Sequence, residues 1–118
     1  MLSVLSDPVG SVLTSALYGL STRSKTIANN IANVDTPDFR ATSVDFESAL
    51  KAAISDGDLS AEVAPVLTPT DTPVGPNGNN VDLRKETMAA IQNSAQYQVI
   101  ARAVSDRASN LKTVAGGQ

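Results

Sequence analysis

Leu13, Leu17, Leu20, Ser24, Ile27, Ile31 and Val34 recur at spacings of 4, 3, 4, 3, 4 and 3 residues. That is a heptad seam, a helix with one face built to meet another helix, and Ser24 is its polar interruption. Asp7-Pro8 suits its start, because Asp accepts a bond from an orphan N–H and Pro fits the first helical position. Pro37 ends it by disfavouring helical geometry at Thr36. The spacing therefore predicts a helix over 7–34, about 40 Å long at roughly 1.5 Å per residue. Gly19 inside it costs up to about 1 kcal/mol relative to Ala.

Beyond Pro37, residues 38–44 are expected to be extended. A short helix follows over 45–54, with Phe46, Ala49, Leu50, Ala53 and Ile54 on one face and Asp56-Gly57 as its stop. Residues 57–80 mix Pro65, Pro69, Pro73 and Pro76 with Gly, Thr and Asn, and no base lies between Lys51 and Arg84. They read as a flexible or extended acidic loop. The last helix is expected over 82–115, with Asp82 as N-cap and Glu86 near its positive end. Met88, Ile91, Ala95 and Val99 form one apolar stripe on it. Tyr97, Ile100, Val104, Ala108 and Leu111 form another, rotated by more than a quarter turn. Arg107 and Lys112 suit its C-terminal end, and Gly116-Gly117 stops it.

The expected fold is all-α and a single domain over 1–118. Long N- and C-terminal helices pack as a coiled-coil-like pair around a short middle helix and an extended acidic Pro/Thr-rich loop. Only 3% of the residues are aromatic, so a compact core has little ring surface to draw on. A two-helix hairpin is the ordinary partner for a heptad stripe. Here it leaves half the apolar surface wet, and no third long helix exists to cover it. Assembly with other chains follows.

Chemistry is largely excluded. With no Cys and no His, the commonest nucleophile, general base and transition-metal ligands are missing. Asp35 with Asp38, and Asp45 with Glu47, sit in polar segments that do not tune carboxylate dyads. Asp56–Glu62 lacks the sixth-position Gly of a calcium loop, which Ala61 occupies, and reads as a turn. The expectation is no enzyme and no cofactor, metal or small-molecule substrate. A net charge of -3 with scattered bases argues against nucleic acid. The charge is uneven. Residues 35–82 carry nine acids against Arg40 and Lys51, between two mildly basic ends. Only Arg23 and Lys25 in the first helix, and no Trp, support binding to a membrane surface. No apolar run approaches the ~20 residues that cross a bilayer. Met1-Leu2-Ser3-Val4-Leu5 does not read as a cleavable signal.

Two segments resemble a known family, the axial proteins of the bacterial flagellum, and among them the proximal rod proteins. Asn30-Ile31-Ala32-Asn33-Val34-Asp35-Thr36-Pro37-Asp38-Phe39-Arg40 is similar to the family's N-terminal signature: Asn-Ile-Ala-Asn, two residues, then Thr-Pro-Gly-Tyr-Lys. Ala41, Val44-Asp45-Phe46 and Ala49-Leu50 resemble the continuation expected of the proximal member. Asn79-Asn80-Val81-Asp82-Leu83, Glu86-Thr87-Met88 and Asn93 through Tyr97-Gln98 resemble its C-terminal signature. The match covers about 80 of the 118 residues, in order. Asp38 stands where the family has Gly, at a position where a positive φ suits Asp less well than Gly. Phe39 replaces Tyr.

The resemblance implies a structural subunit of the periplasmic rod that links the rotor ring to the distal rod and hook and transmits torque. It implies export through the flagellar type III apparatus without cleavage. The implied partners are the chain itself, other rod proteins and the rotor-ring or export-gate adaptor at the proximal end. Leu13, Leu17, Leu20, Ile27 and Ile31 would form the N-terminal seam. Met88, Ile91, Ala95, Ile100, Val104 and Leu111 would pack against it and against neighbouring subunits. Asn30, Asn33 and Thr36 have side chains able to satisfy backbone groups freed at the helix end. The alternative is a secreted helical adaptor that docks one partner helix-in-groove.

Overall fold

The structure, a computed structural model, describes residues 7–57 and 63–116. In chain order it consists of α1 (Pro8–Ala32), β1 (Thr42–Asp45), α2 (Glu47–Asp56), β2 (Val66–Pro69) and α3 (Leu83–Gly116). The molecule is a rod of 66 × 26 × 16 Å. Its long axis is the antiparallel pair α1–α3, since Asp7 meets Arg107 at one end and Asn30 meets Glu86 at the other.

The terminal helices match the expected plan, and the middle corrects it. The chain is not all-α. β1 and β2 form an antiparallel two-stranded sheet in the register Thr42↔Pro69, Ser43↔Thr68, Val44↔Leu67 and Asp45↔Val66. Part of the stretch read as a loop is therefore a strand. Pro69 fits there because β2 lies at the edge of a sheet only two strands wide, where a missing N–H is tolerated. The expected turn at Asp56–Glu62 lies outside the described residues beyond Gly57, as do Met1–Ser6 and Gly117 of the helix stop.

Specific contacts account for the helix ends at Asp7, Asp45, Gly57 and Asp82. At α1, Asp7 occupies the N-cap position but its carboxylate makes no capping bond, because Arg107 holds it instead. α1 ends at Ala32 rather than Val34, and Asn33 to Pro37 form turns. α2 starts two residues later than expected, because the Asp45 carboxylate accepts from the Ser48 N–H (3.1 Å) and hydroxyl (2.8 Å), capping from outside the helix. These bonds, the Ser48 N–H foremost, lower the Asp45 pKa from its ordinary value. Gly57, at φ 76°, closes α2 in the left-handed conformation. Asp82 caps α3 through the Lys85 N–H at 3.2 Å.

The core is small and off-centre. Ala16, Leu20, Val44 and Phe46 cluster where α1 crosses β1 and the start of α2, with Leu50 and Ile100 packed on them half-buried. Of the face expected on α2, only Phe46 is buried, while Ala49 and Ile54 are exposed. The Phe46 ring lies against the backbone of Gly19, so that a Cβ at residue 19 would fall within the ring. Arg23 sits over the same ring, its guanidinium carbon 4.8 Å from the ring centroid.

Asp38 adopts φ 62°, the left-handed conformation in which glycine is most at ease. It packs on Gly78, itself at φ 80°. Asp38→Gly is expected to stabilise the chain by up to about 1 kcal/mol, and Asp38→Val to cost about 1–2 kcal/mol. Urea denaturation of the variants measures both; a clearly destabilised Asp38→Gly would contradict the strain assigned to this residue.

Candidate assembly interface

Among the described residues, no group of His, Cys, Asp and Glu could hold a metal, and no helix is long and apolar enough to cross a membrane. The features that stand out are a polar clasp inside the molecule and an uncovered apolar surface outside it.

The clasp begins with Asn30, fully buried at the end of α1. Its Nδ2 donates to the Thr42 carbonyl at 2.8 Å, and its Oδ1 accepts from the Thr42 N–H at 3.3 Å. The amide thus pairs with β1 as a neighbouring strand would, closing the sheet edge that faces α1. Nδ2 also donates to Glu86 Oε1 at 3.1 Å, which gives that buried carboxylate a partner. Next along the edge, Arg23 donates to the Val44 carbonyl at 2.8 Å and pairs with Glu47 at 2.5 Å. The Arg23 bond is the main reason that the Glu47 pKa is lowered.

Two further asparagines complete the clasp. Asn79 Nδ2 donates to the carbonyls of Asn33 and Thr36, both at 2.8 Å, and so satisfies groups released where α1 ends. Asn80 Oδ1 accepts from Ala41 N–H at 2.6 Å, and its backbone N–H donates to the Phe39 carbonyl at 3.2 Å. Asp38 N–H closes the same junction by donating to the Asn77 carbonyl. Asn33 and Thr36 act locally: Asn33 Nδ2 donates to the Asn29 carbonyl, and the Thr36 hydroxyl donates to Asn33 Oδ1. The segments that carry the sequence signatures are therefore bonded to one another across the fold. Within them Phe39 and Ile31 are half-buried, and Ala32, Pro37 and Asp82 are exposed.

The helical seam is only partly covered. Leu20 and Ile27 are buried, while Leu13, Leu17 and Ile31 stay half-buried. Of the expected stripe residues on α3, Ile100, Val104 and Leu111 are half-buried. Met88, Ile91 and Ala95 are left exposed within the chain, Met88 being 58% and Ile91 66% exposed, as is Val99 at 66%. Their stripe is rotated away from the line Glu86, Asn93, Ile100 and Arg107, which faces α1 at seven-residue steps. Tyr97 and Leu83 are exposed as well, and Tyr97 lines a groove against α1 with Ser21, Ser24 and Ile27. At the far end, Arg107 Nη2 bonds Asp7 Oδ1 at 2.6 Å; this pairing, against the cost of burial, lowers the Asp7 pKa and raises that of Arg107.

Sequence reasoning missed Gly19, Arg23, Asp7, Asn79 and Asn80 as structural partners. Asn79 and Asn80 carried a usable signal, since side-by-side asparagines after a Gly-Pro-Asn-Gly turn often hydrogen-bond backbone.

An uncovered apolar stripe on a long helix, beside a half-covered seam, is a surface for other helices. A family model described as "Flagella basal body rod protein" matches residues 11–40. The chain is 34% identical over 118 residues to a Bacillus subtilis protein named flagellar basal body rod protein FlgB, covering 89% of this chain and 91% of that one. It is 36% identical over 103 residues to the Borreliella burgdorferi protein of that name, covering 69% and 76%. With the Escherichia coli protein of that name it shares 32% identity over 112 residues, covering 78% and 81%.

Proposed function

The chain belongs to the FlgB family of flagellar basal body rod proteins and is a structural subunit of the basal-body rod, and from that premise we propose that it polymerises through the outer faces of α1 and α3. The observation that carries this reading is the exposed stripe Met88, Ile91, Ala95 and Val99, which one chain leaves uncovered. Neighbouring rod subunits cover it, together with the half-buried seam residues Leu13, Leu17, Ile31, Ile100, Val104 and Leu111. The rod so built links the rotor ring to the distal rod and hook and transmits torque.

In this reading residues 1–118 act as one domain with no catalytic activity. The chain leaves the cytoplasm through the flagellar type III apparatus. At the proximal end it meets the adaptor of the rotor ring or export gate. A helix pair with a small core suits that route, since little packing must be lost to thread it.

Ile91→Glu separates assembly from folding. Purified, the variant is expected to keep its helical content and lie within about 0.5 kcal/mol of the parent, because residue 91 is exposed. As the sole copy in the cell it is expected to abolish swimming and leave basal bodies without a completed rod. Normal swimming would overturn the assignment of this stripe. A stoichiometric soluble complex with one foreign protein, and no rod phenotype on gene deletion, would favour a secreted adaptor instead.

A further inference from the structure

The apolar seam between α1 and α3 does not by itself define how the two helices align. Leu13, Leu20 and Ile27 repeat every seven residues on α1, and Tyr97, Val104 and Leu111 do so on the flank of α3 beside it, so sliding α3 by one heptad sets apolar groups against apolar groups again. The line on α3 that faces α1 is mostly polar. Glu86 accepts from the Asn30 side chain, Asn93 Nδ2 donates to the Leu20 carbonyl at 2.8 Å, and Arg107 pairs with Asp7. Only Ile100, between them, packs on the apolar cluster.

As contributors to packing these residues are poor choices. Asp7, Glu86 and Asn93 are all buried, and Asn93 Oδ1 has no hydrogen-bond partner. As a code they are efficient. From Asn30 back to Asp7 is 23 positions, and from Glu86 on to Arg107 is 21, so the matches at both ends are met together in one antiparallel alignment. A slip of one heptad sets Asp7 against Ile100 or Val114, leaving the carboxylate without its cation. We propose that Glu86, Asn93 and Arg107 form a polar ladder that fixes the register of the α1–α3 pair, with Asn30, the Leu20 carbonyl and Asp7 as its rungs on α1. The register decides where the outer stripe of α3 stands relative to the sheet and clasp, because each heptad of slip moves it by roughly 10 Å.

The chain has no Cys, so spin labels can be placed cleanly at Lys25→Cys on α1 and Ser109→Cys on α3, both exposed. The full-length labelled parent is expected to give one distance by pulsed paramagnetic resonance. In the Asp7→Leu, Glu86→Leu, Asn93→Leu, Arg107→Leu variant, a second population displaced by about 10 Å is expected, with a tenth or more of the signal. A single parental distance in that variant, or no defined distance in the parent, overturns the ladder. Should the fourfold variant not fold, the salt-bridge end decides. Asp7→Arg alone is expected to broaden or shift the distance, and Asp7→Arg with Arg107→Asp to restore it. An unchanged Asp7→Arg, or an unrestored double variant, overturns the proposal.

Discussion

Gly19→Ala is expected to lower the stability of the chain by about 1–3 kcal/mol. Helix propensity alone points the other way, since Ala in a helix interior gains up to about 1 kcal/mol over Gly. The sign is set by Phe46. Its ring occupies the space of a Cβ at residue 19, and the Arg23 guanidinium lies over it. Arg23 is itself tied to Val44 and Glu47, so the ring has no easy direction of retreat. Denaturant unfolding gives the magnitude. Combining Gly19→Ala with Phe46→Leu is expected to recover part of the loss, as a coupled pair should. A stabilised Gly19→Ala would show that the ring moves freely and that the close approach has no energetic weight.

Asn30→Ala is expected to cost about 2–4 kcal/mol, because it strips partners from a buried carboxylate and from both backbone groups of Thr42. Asn30→Asp, although isosteric, is expected to be at least as harmful. It replaces the donating nitrogen by an oxygen and sets a carboxylate beside Glu86. Adding Glu86→Gln to Asn30→Asp restores a donor between the two positions and should recover much of the loss. Amide exchange at Thr42 provides a local readout, expected to accelerate in Asn30→Ala and stay slow in the restored pair. A loss below about 0.5 kcal/mol for Asn30→Ala would mean that solvent or a rearranged neighbour replaces the clasp.

The parts of the fold that a sequence can announce are those with local causes. The heptad of Leu13, Leu20 and Ile27, the Asp82 cap and the glycine after α2 are visible because helix faces and helix ends are set by residues a few positions apart. β2 has no such cause. Val66, Leu67, Thr68 and Pro69 are all exposed, flanked by prolines, and become a strand only through pairing with β1, some twenty residues away. Asn30 was misleading for a related reason. An asparagine near a helix end ordinarily serves the backbone beside it, as Asn33 does here, and its reach to β1 and Glu86 depends on tertiary approach. The outer stripe of α3 was visible as apolar. Which of its two faces would turn inward was not, because the inward one is mostly polar at Glu86, Asn93 and Arg107.

The bonds that tie Asn77, Asn79 and Asn80 to the segment 33–41 have a topological consequence. They close the intervening polypeptide at its base, so everything between Phe39 and Asn79 is an excursion whose ends are already joined. Closure entropy rises slowly with length, by roughly 0.6 kcal/mol for each doubling. Extra sequence inserted between α2 and β2 should therefore burden the helix pair little, whatever its own conformation. The chain has a built-in grafting point: its girders can stay constant while the cargo hung from their side is exchanged.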